Sequence, residues 1–239
     1  MTFLEIAGIT LRALLGRRRT VLMVLLAAIP VLVGVLVRAS SNGIGEVGQT
    51  LDGLVVRIVL PLLALVFGTA ALGAELEDGT AVHVLTKPVS RATIVLAKVA
   101  VAGTLTAALA VPSTVVAAIL MAAPGENLAR MSTALTVGVI AGAYLYAAIF
   151  AALSVITSRG LIIGVGYALV WEGLLAGLLP GTQIFSVREY VRGIINTLSP
   201  LLIDSVVGAS AVLYTAVALA AALAIASYRL ATYEVRGSD

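Results

Sequence analysis

The chain has 239 residues, of which 61% are hydrophobic and 11% charged, with a mean hydropathy of +1.13; a soluble domain is roughly 45–50% apolar and about 25% charged, so this is an integral membrane protein. Cysteine is absent, which excludes a disulfide framework, a thiol nucleophile and a cysteine metal site. The net charge of +3 matters through its distribution, because no basic run is long enough to make a nucleic-acid surface.

In chain order, Glu5, Gly8, Arg12, Gly16 and Arg19 recur at steps of three and four, with Phe3, Leu4, Ala7, Leu11, Leu14 and Leu15 around them. This pattern predicts one amphipathic helix over residues 2–19 lying in the membrane interface, with Arg17, Arg18 and Arg19 among anionic lipids; a charged flank before a span is the simpler alternative. The first span is expected at 20–37 with a kink at Pro30, and a loop rich in Ser, Asn and Gly at 38–53. The second span, 54–74, carries Arg57 near its outer end, where a snorkelling side chain is the plain expectation.

Between two apolar runs, residues 75–98 hold six charges and the single histidine. Asp78 suits the N-cap of a short helix from Gly79 or Thr80 to Thr86, with Glu75 and Glu77 placed favourably for its dipole. Lys87-Pro88 stops that helix, Ser90 caps the next, and Val89 with Ile94 stand at the two positions of a hydrophobic staple.

The third span, about 95–123, has Lys98 at one end and Pro112-Ser113-Thr114 near its middle, where nearby hydroxyls or a neighbouring helix can satisfy the carbonyl that proline frees. Pro124-Gly125-Glu126-Asn127 opens the next loop. In the fourth span, 133–156, Ala134, Gly138 and Gly142 line one face and admit another helix, within the subunit or across a dimer. The fifth span, 161–179, contains a second small-residue pair, Gly173 and Gly177, and Glu172, whose depth matches that of Arg57; that shared depth raises the hypothesis of a Glu172–Arg57 ion pair, the alternative being a span that ends earlier and leaves Glu172 in the interface. After Pro180-Gly181, residues 182–204 predict an external amphipathic helix with Ile184, Val187, Val191, Ile194 and Leu198 on one side and Arg188, Glu189, Arg192 and Asn196 on the other. The sixth span is 206–228, before a short tail. The fold class is therefore an all-α membrane protein of six spans forming one domain.

With the N-terminus inside, the inner side collects Arg12, Arg17, Arg18, Arg19, Lys87, Arg91, Lys98, Arg159, Arg229 and Arg236, ten of the 15 basic residues, against Arg38, Arg57, Arg130, Arg188 and Arg192 outside. The positive-inside rule then places both termini and residues 75–98 in the cytoplasm of a cell whose plasma membrane holds the chain.

Glu75-x-Glu77-x-Gly79-Thr80, Leu85, Pro88-Val89-Ser90-Arg91 and Lys98 together resemble the cytoplasmic segment of permease subunits of type-2 ATP-binding-cassette (ABC) transporters, mostly prokaryotic exporters. The resemblance is dense over these 24 or so residues and elsewhere is one of span layout. It implies that residues 79–87, Val82 and Leu85 included, form a coupling helix that docks on a separate ATPase subunit, with Glu75, Glu77 and Asp78 beside it. It also implies external helices between the last two spans, a second permease chain (the same or another), and ATP and Mg bound by the partner and not by this chain. The residues agree on that last point: no G-x-x-x-x-G-K-[ST] loop is present, and one histidine, His83, supplies neither a zinc site nor an intramembrane base, so the chain is not expected to be an enzyme. A secondary transporter or a non-transporting scaffold is the competing class, disfavoured by few polar groups in the spans and no repeat between halves.

Overall fold

The computed structural model describes residues 3–40, 47–77, 89–175, 182–200 and 202–232, and among these every regular element is helical. Helix α1 is Phe3–Leu14 and α2 is Arg17–Ala39. Helix α3, Val47–Leu51, runs without a break through a π-helical stretch, Asp52–Val59, into α4, Leu60–Glu77. Helices α5, Arg91–Met121, and α6, Leu128–Ile156, follow, and α7, Gly160–Gly166, passes into a second π-helical stretch, Tyr167–Leu175. A 3-10 turn at Thr182–Phe185 precedes α8, Val187–Leu198; another at Gly208–Ser210 precedes α9, Ala211–Ala231.

Five described segments are long and apolar enough to cross a membrane: Arg18–Ala39, Val47–Gly73, Arg91–Met121, Leu128–Ile156 and Gly208–Ala231. Gly160–Gly173 is apolar but shorter. At 1.5 Å per residue, the 29 residues of α6 reach about 43 Å, enough for the roughly 30 Å hydrocarbon layer.

Helices α4, α5 and α6 pack against one another at the centre. Phe67 of α4 and Tyr146 and Phe150 of α6 are fully buried there, the two rings on α6 stacking with centroids 5.8 Å apart. Helix α2 lies on α5 alone over most of its length, where Gly34 lets the backbones meet: a Cβ there would stand 3.2 Å from the Cα of Ala117. Both prolines fall in this contact. Pro30 gives α2 no N–H, and the hydroxyl of Ser113, next to Pro112 in α5, donates to the carbonyl of Ala27 one turn before it. Thr114 donates within its own helix to Ala110, at 2.6 Å.

The N-terminal helix is shorter than predicted. The chain breaks at Leu15 and Gly16, so Arg17, Arg18 and Arg19 open the first turn of α2 and do not end an interfacial helix. Ile6, Thr10 and Leu14, one residue per turn, face inward from α1 onto α5 and α4, and Ile6 joins a small buried cluster with Leu72, Ile94 and Val95. Leu4 and Ile9 remain exposed on the opposite side.

Candidate functional site

Two places concentrate polar chemistry. The first frames the predicted coupling segment. Glu75 and Glu77 fall in the last turn of α4, which runs three residues beyond the predicted span, whereas Asp78, Gly79, Thr80, Val82, Leu85 and Pro88 lie outside the described residues. On the far side the predicted corner is present. The Ser90 side chain accepts from the Thr93 N–H at 3.2 Å and lies 2.7 Å from its hydroxyl, Arg91 begins α5, and Val89 packs on the cluster that buries Ile94, as a hydrophobic staple requires. Lys98 is buried, only 2% exposed, and its ammonium donates to the carbonyl of Ala71 at 2.8 Å. It thereby ties the start of α5 to the end of α4, the two helices that bracket the segment.

The second place surrounds α8 and is where the structure corrects the sequence reading. Glu172 is completely buried, but Arg57 is exposed, and no ion pair joins them among the described residues. The carboxylate of Glu172 instead meets the start of α8. Its Oε1 accepts from the Val187 N–H at 2.9 Å and the Tyr167 hydroxyl at 2.8 Å. Its Oε2 accepts from the Ser186 hydroxyl at 2.5 Å and the Arg188 N–H at 3.3 Å. A helix N-terminus presents unsatisfied N–H groups and a partial positive charge, so it takes up the carboxylate that the sequence reading assigned to an arginine. Ser186 also caps the helix, accepting from the Glu189 N–H at 3.3 Å.

The π-helical backbone explains how Tyr167 reaches Glu172. In a π-helix residue i aligns with i+5, so a tyrosine five positions before the glutamate shares its face. The other π-helical stretch does comparable work: the Leu60 N–H bonds five residues back to Val55, next to Pro61, which can donate nothing. At its head Asp52 sits 2.6 Å from the Arg188 guanidinium and 3.3 Å from Nε of Arg192, which also pairs with Glu189. Two acids from two π-helical stretches therefore hold the beginning of α8, and the Nε of Arg130 donates to the Leu198 carbonyl at 2.8 Å at its end, which places negative and positive charge at the ends that the helix dipole favours.

Contrary to the predicted polar face, Arg188 and Glu189 are buried. Helix α8 lies along the half of α6 nearest Leu128, against the face predicted to admit a neighbour. A Cβ on Gly142 would come within 2.6 Å of Val191, and one on Gly138 within 2.4 Å of Ile195, so the small residues serve packing inside the subunit. Gly173 meets nothing closer than 3.7 Å and is not a contact of that type, while Gly177 lies outside the described residues. The sequence reading passed over Asp52, taken as a loop residue, and the pairing of Ser186 with Glu189. The latter was visible as an S-x-x-E helix start, although here the Glu189 carboxylate turns to Arg192.

A family model described as ABC-2 family transporter protein matches residues 15–174, more than half of the chain. The chain belongs to the ABC-2 transporter family. As an ABC-2 permease it is a multi-pass membrane subunit of an ABC transporter, in a family whose membrane subunits are not the catalytic ones. No curated protein matches it. The family match takes in both brackets of the predicted coupling segment and ends just after Glu172, so α8 and α9 lie beyond it.

Proposed function

We propose that this ABC-2 permease couples ATP hydrolysis in a separate ATPase subunit to export of a substrate across the plasma membrane. Family membership carries this reading. The resemblance of residues 75–98 to the docking segment of such permeases supports it, as does the frame around that segment: a helix that ends at Glu77, a capped start at Ser90 and the Lys98–Ala71 tie. In this reading a force on residues 79–87 enters α4 and α5, the two helices that flank the segment, which the Lys98–Ala71 bond joins and which both belong to the packed centre of the bundle.

In this scheme Glu75, Glu77, Asp78, Gly79, Thr80, Val82, Leu85, Pro88, Ser90 and Arg91 form the ATPase-docking element, with both chain termini in the cytoplasm. The segment 161–179 completes a sixth crossing, α8 lines the outer half of the subunit, and a second permease chain supplies the other side of the path. ATP and Mg are bound by the ATPase partner. The test is to purify the chain with its ATPase and change Val82 and Leu85 to Ala. The expected result is a subunit that folds and inserts normally while the ATPase is lost from the complex or its hydrolysis no longer responds to the permease. An unchanged complex with unchanged hydrolysis sinks the proposal.

A further inference from the structure

A slot of about 180 Å³ opens at the end of the bundle where α2 begins, walled by Val66, Thr69, Ala70 and Gly73 of α4, Ser154 of α6, and Arg19. The residues that close it, Gly160 and Leu161, start α7. Val66 to Gly73 extends about 10 Å along α4. Its walls are apolar or small, because Gly73 and Gly160 both sit against Ser154 with no room for a side chain. Its two hydroxyls are occupied, Thr69 donating to Leu65 at 2.6 Å and Ser154 to Ala151 at 2.8 Å.

Its one charge is Arg19, half-buried and outside every ion pair among the described residues. Arg17 and Arg18 precede Arg19 in the first turn of α2, which contains no acid, and Arg159 immediately precedes Gly160 in the chain. A cation at the positive end of a helix is opposed by the helix dipole, and a charge left half out of water in a membrane protein is costly unless an anion meets it. The slot therefore offers a cationic head above a narrow cleft of mixed polarity, whose apolar strip is Val66, Ala70 and Leu161.

We propose that this slot binds one anionic phospholipid, its phosphate on Arg19 and the start of an acyl chain along Val66, Ala70 and Leu161. Basic pockets between spans recognise anionic headgroups by this combination of charge and shape. The site lies apart from α8 and ends at Gly73, two residues before the proposed docking element begins at Glu75, and it lets one lipid bridge α2, α4 and α7.

The test is native mass spectrometry of the full chain released from detergent, titrated with phosphatidylglycerol, phosphatidylcholine or inorganic phosphate. The wild-type chain retains one phosphatidylglycerol in preference to phosphatidylcholine, and inorganic phosphate does not displace it. Arg19→Ala weakens retention about tenfold, the effect of one charge-assisted hydrogen bond. Ala70→Leu, which fills the groove and leaves every charge in place, weakens it similarly, and Arg18→Ala does not. The proposal is overturned if Arg18→Ala loses as much as Arg19→Ala, which means general surface charge, or if phosphate displaces the lipid, which means a plain anion site. Should Arg19→Ala not fold, undiminished retention by Ala70→Leu overturns it alone.

Discussion

The carboxylate of Glu172 takes four hydrogen bonds, two of them from backbone N–H groups that have no helical acceptor. Removing it in Glu172→Ala leaves those donors buried and unmet, at about 1–3 kcal/mol each before any relaxation, so the variant is expected to lose about 3 kcal/mol of stability. Glu172→Gln keeps the shape but turns an NH2 group toward donors, and about half that loss is expected. Unfolding of the purified chain in mixed detergent reads both. The arginines near this site separate sharply. Arg57→Gln should change stability by less than about 0.5 kcal/mol, as for an exposed residue away from special contacts, whereas a Glu172 partner would be missed badly. Asp52→Ala strands the guanidinium of Arg188, and breaking a buried pair from one side costs about 3 kcal/mol or more; Asp52→Ala with Arg188→Ala should recover part of it, which a double-mutant cycle measures.

At the scale of elements, helix α8 shows where a hydrophobic pattern stops being informative. Its 12 residues do have the predicted repeat of Val187, Val191, Ile194 and Leu198, and the helix falls inside the predicted 182–204, although it starts later and ends earlier, leaving Ile184 in the preceding 3-10 turn. Periodicity says which residues share a face, not what lies beyond the other face. Here the polar face is also buried, because Asp52 and Glu172 arrive from segments 136 and 14 residues away to meet Arg188 and Ser186. The long spans were legible because length and apolarity are local properties, and the Ser90 corner because capping is local chemistry. The π-helical stretches were not, since nothing in composition separates them from α-helix, and the wrong partner for Glu172 followed from matching depth alone, which does not say that Arg57 faces outward. The small residues of α6 were read correctly as a docking face, and Gly142→Leu tests its occupant. The new side chain collides with Val191 and Leu60, so α8 should be pushed off α6. A cysteine placed at Ile195, buried at present, should then label with a thiol reagent in the Gly142→Leu background and not in its absence.

For the whole molecule, the arrangement divides into a packed centre of α4, α5 and α6, a peripheral α2 held on one face, and α8 seated in the half of the bundle opposite the slot at Arg19. In the proposed cycle, force enters at residues 79–87, passes through the Lys98-tied pair of helices and reaches α8 through Leu60 and Gly142. Lys98→Met, which keeps bulk but loses the bond to Ala71, should therefore weaken the response of ATPase rate to the permease several-fold while the subunit still assembles, read as hydrolysis by the reconstituted complex with and without the variant. The chain contains no cysteine, so an introduced one is the sole thiol it carries. The most direct test of the account is a single cysteine at Val82, probed in intact cells with a membrane-impermeant thiol reagent and in inverted vesicles with a bifunctional cross-linker. The account predicts no labelling from outside and a cross-linked product with an ATP-binding chain from inside. Labelling from outside, or accessibility inside with no ATP-binding chain in the product, would contradict it.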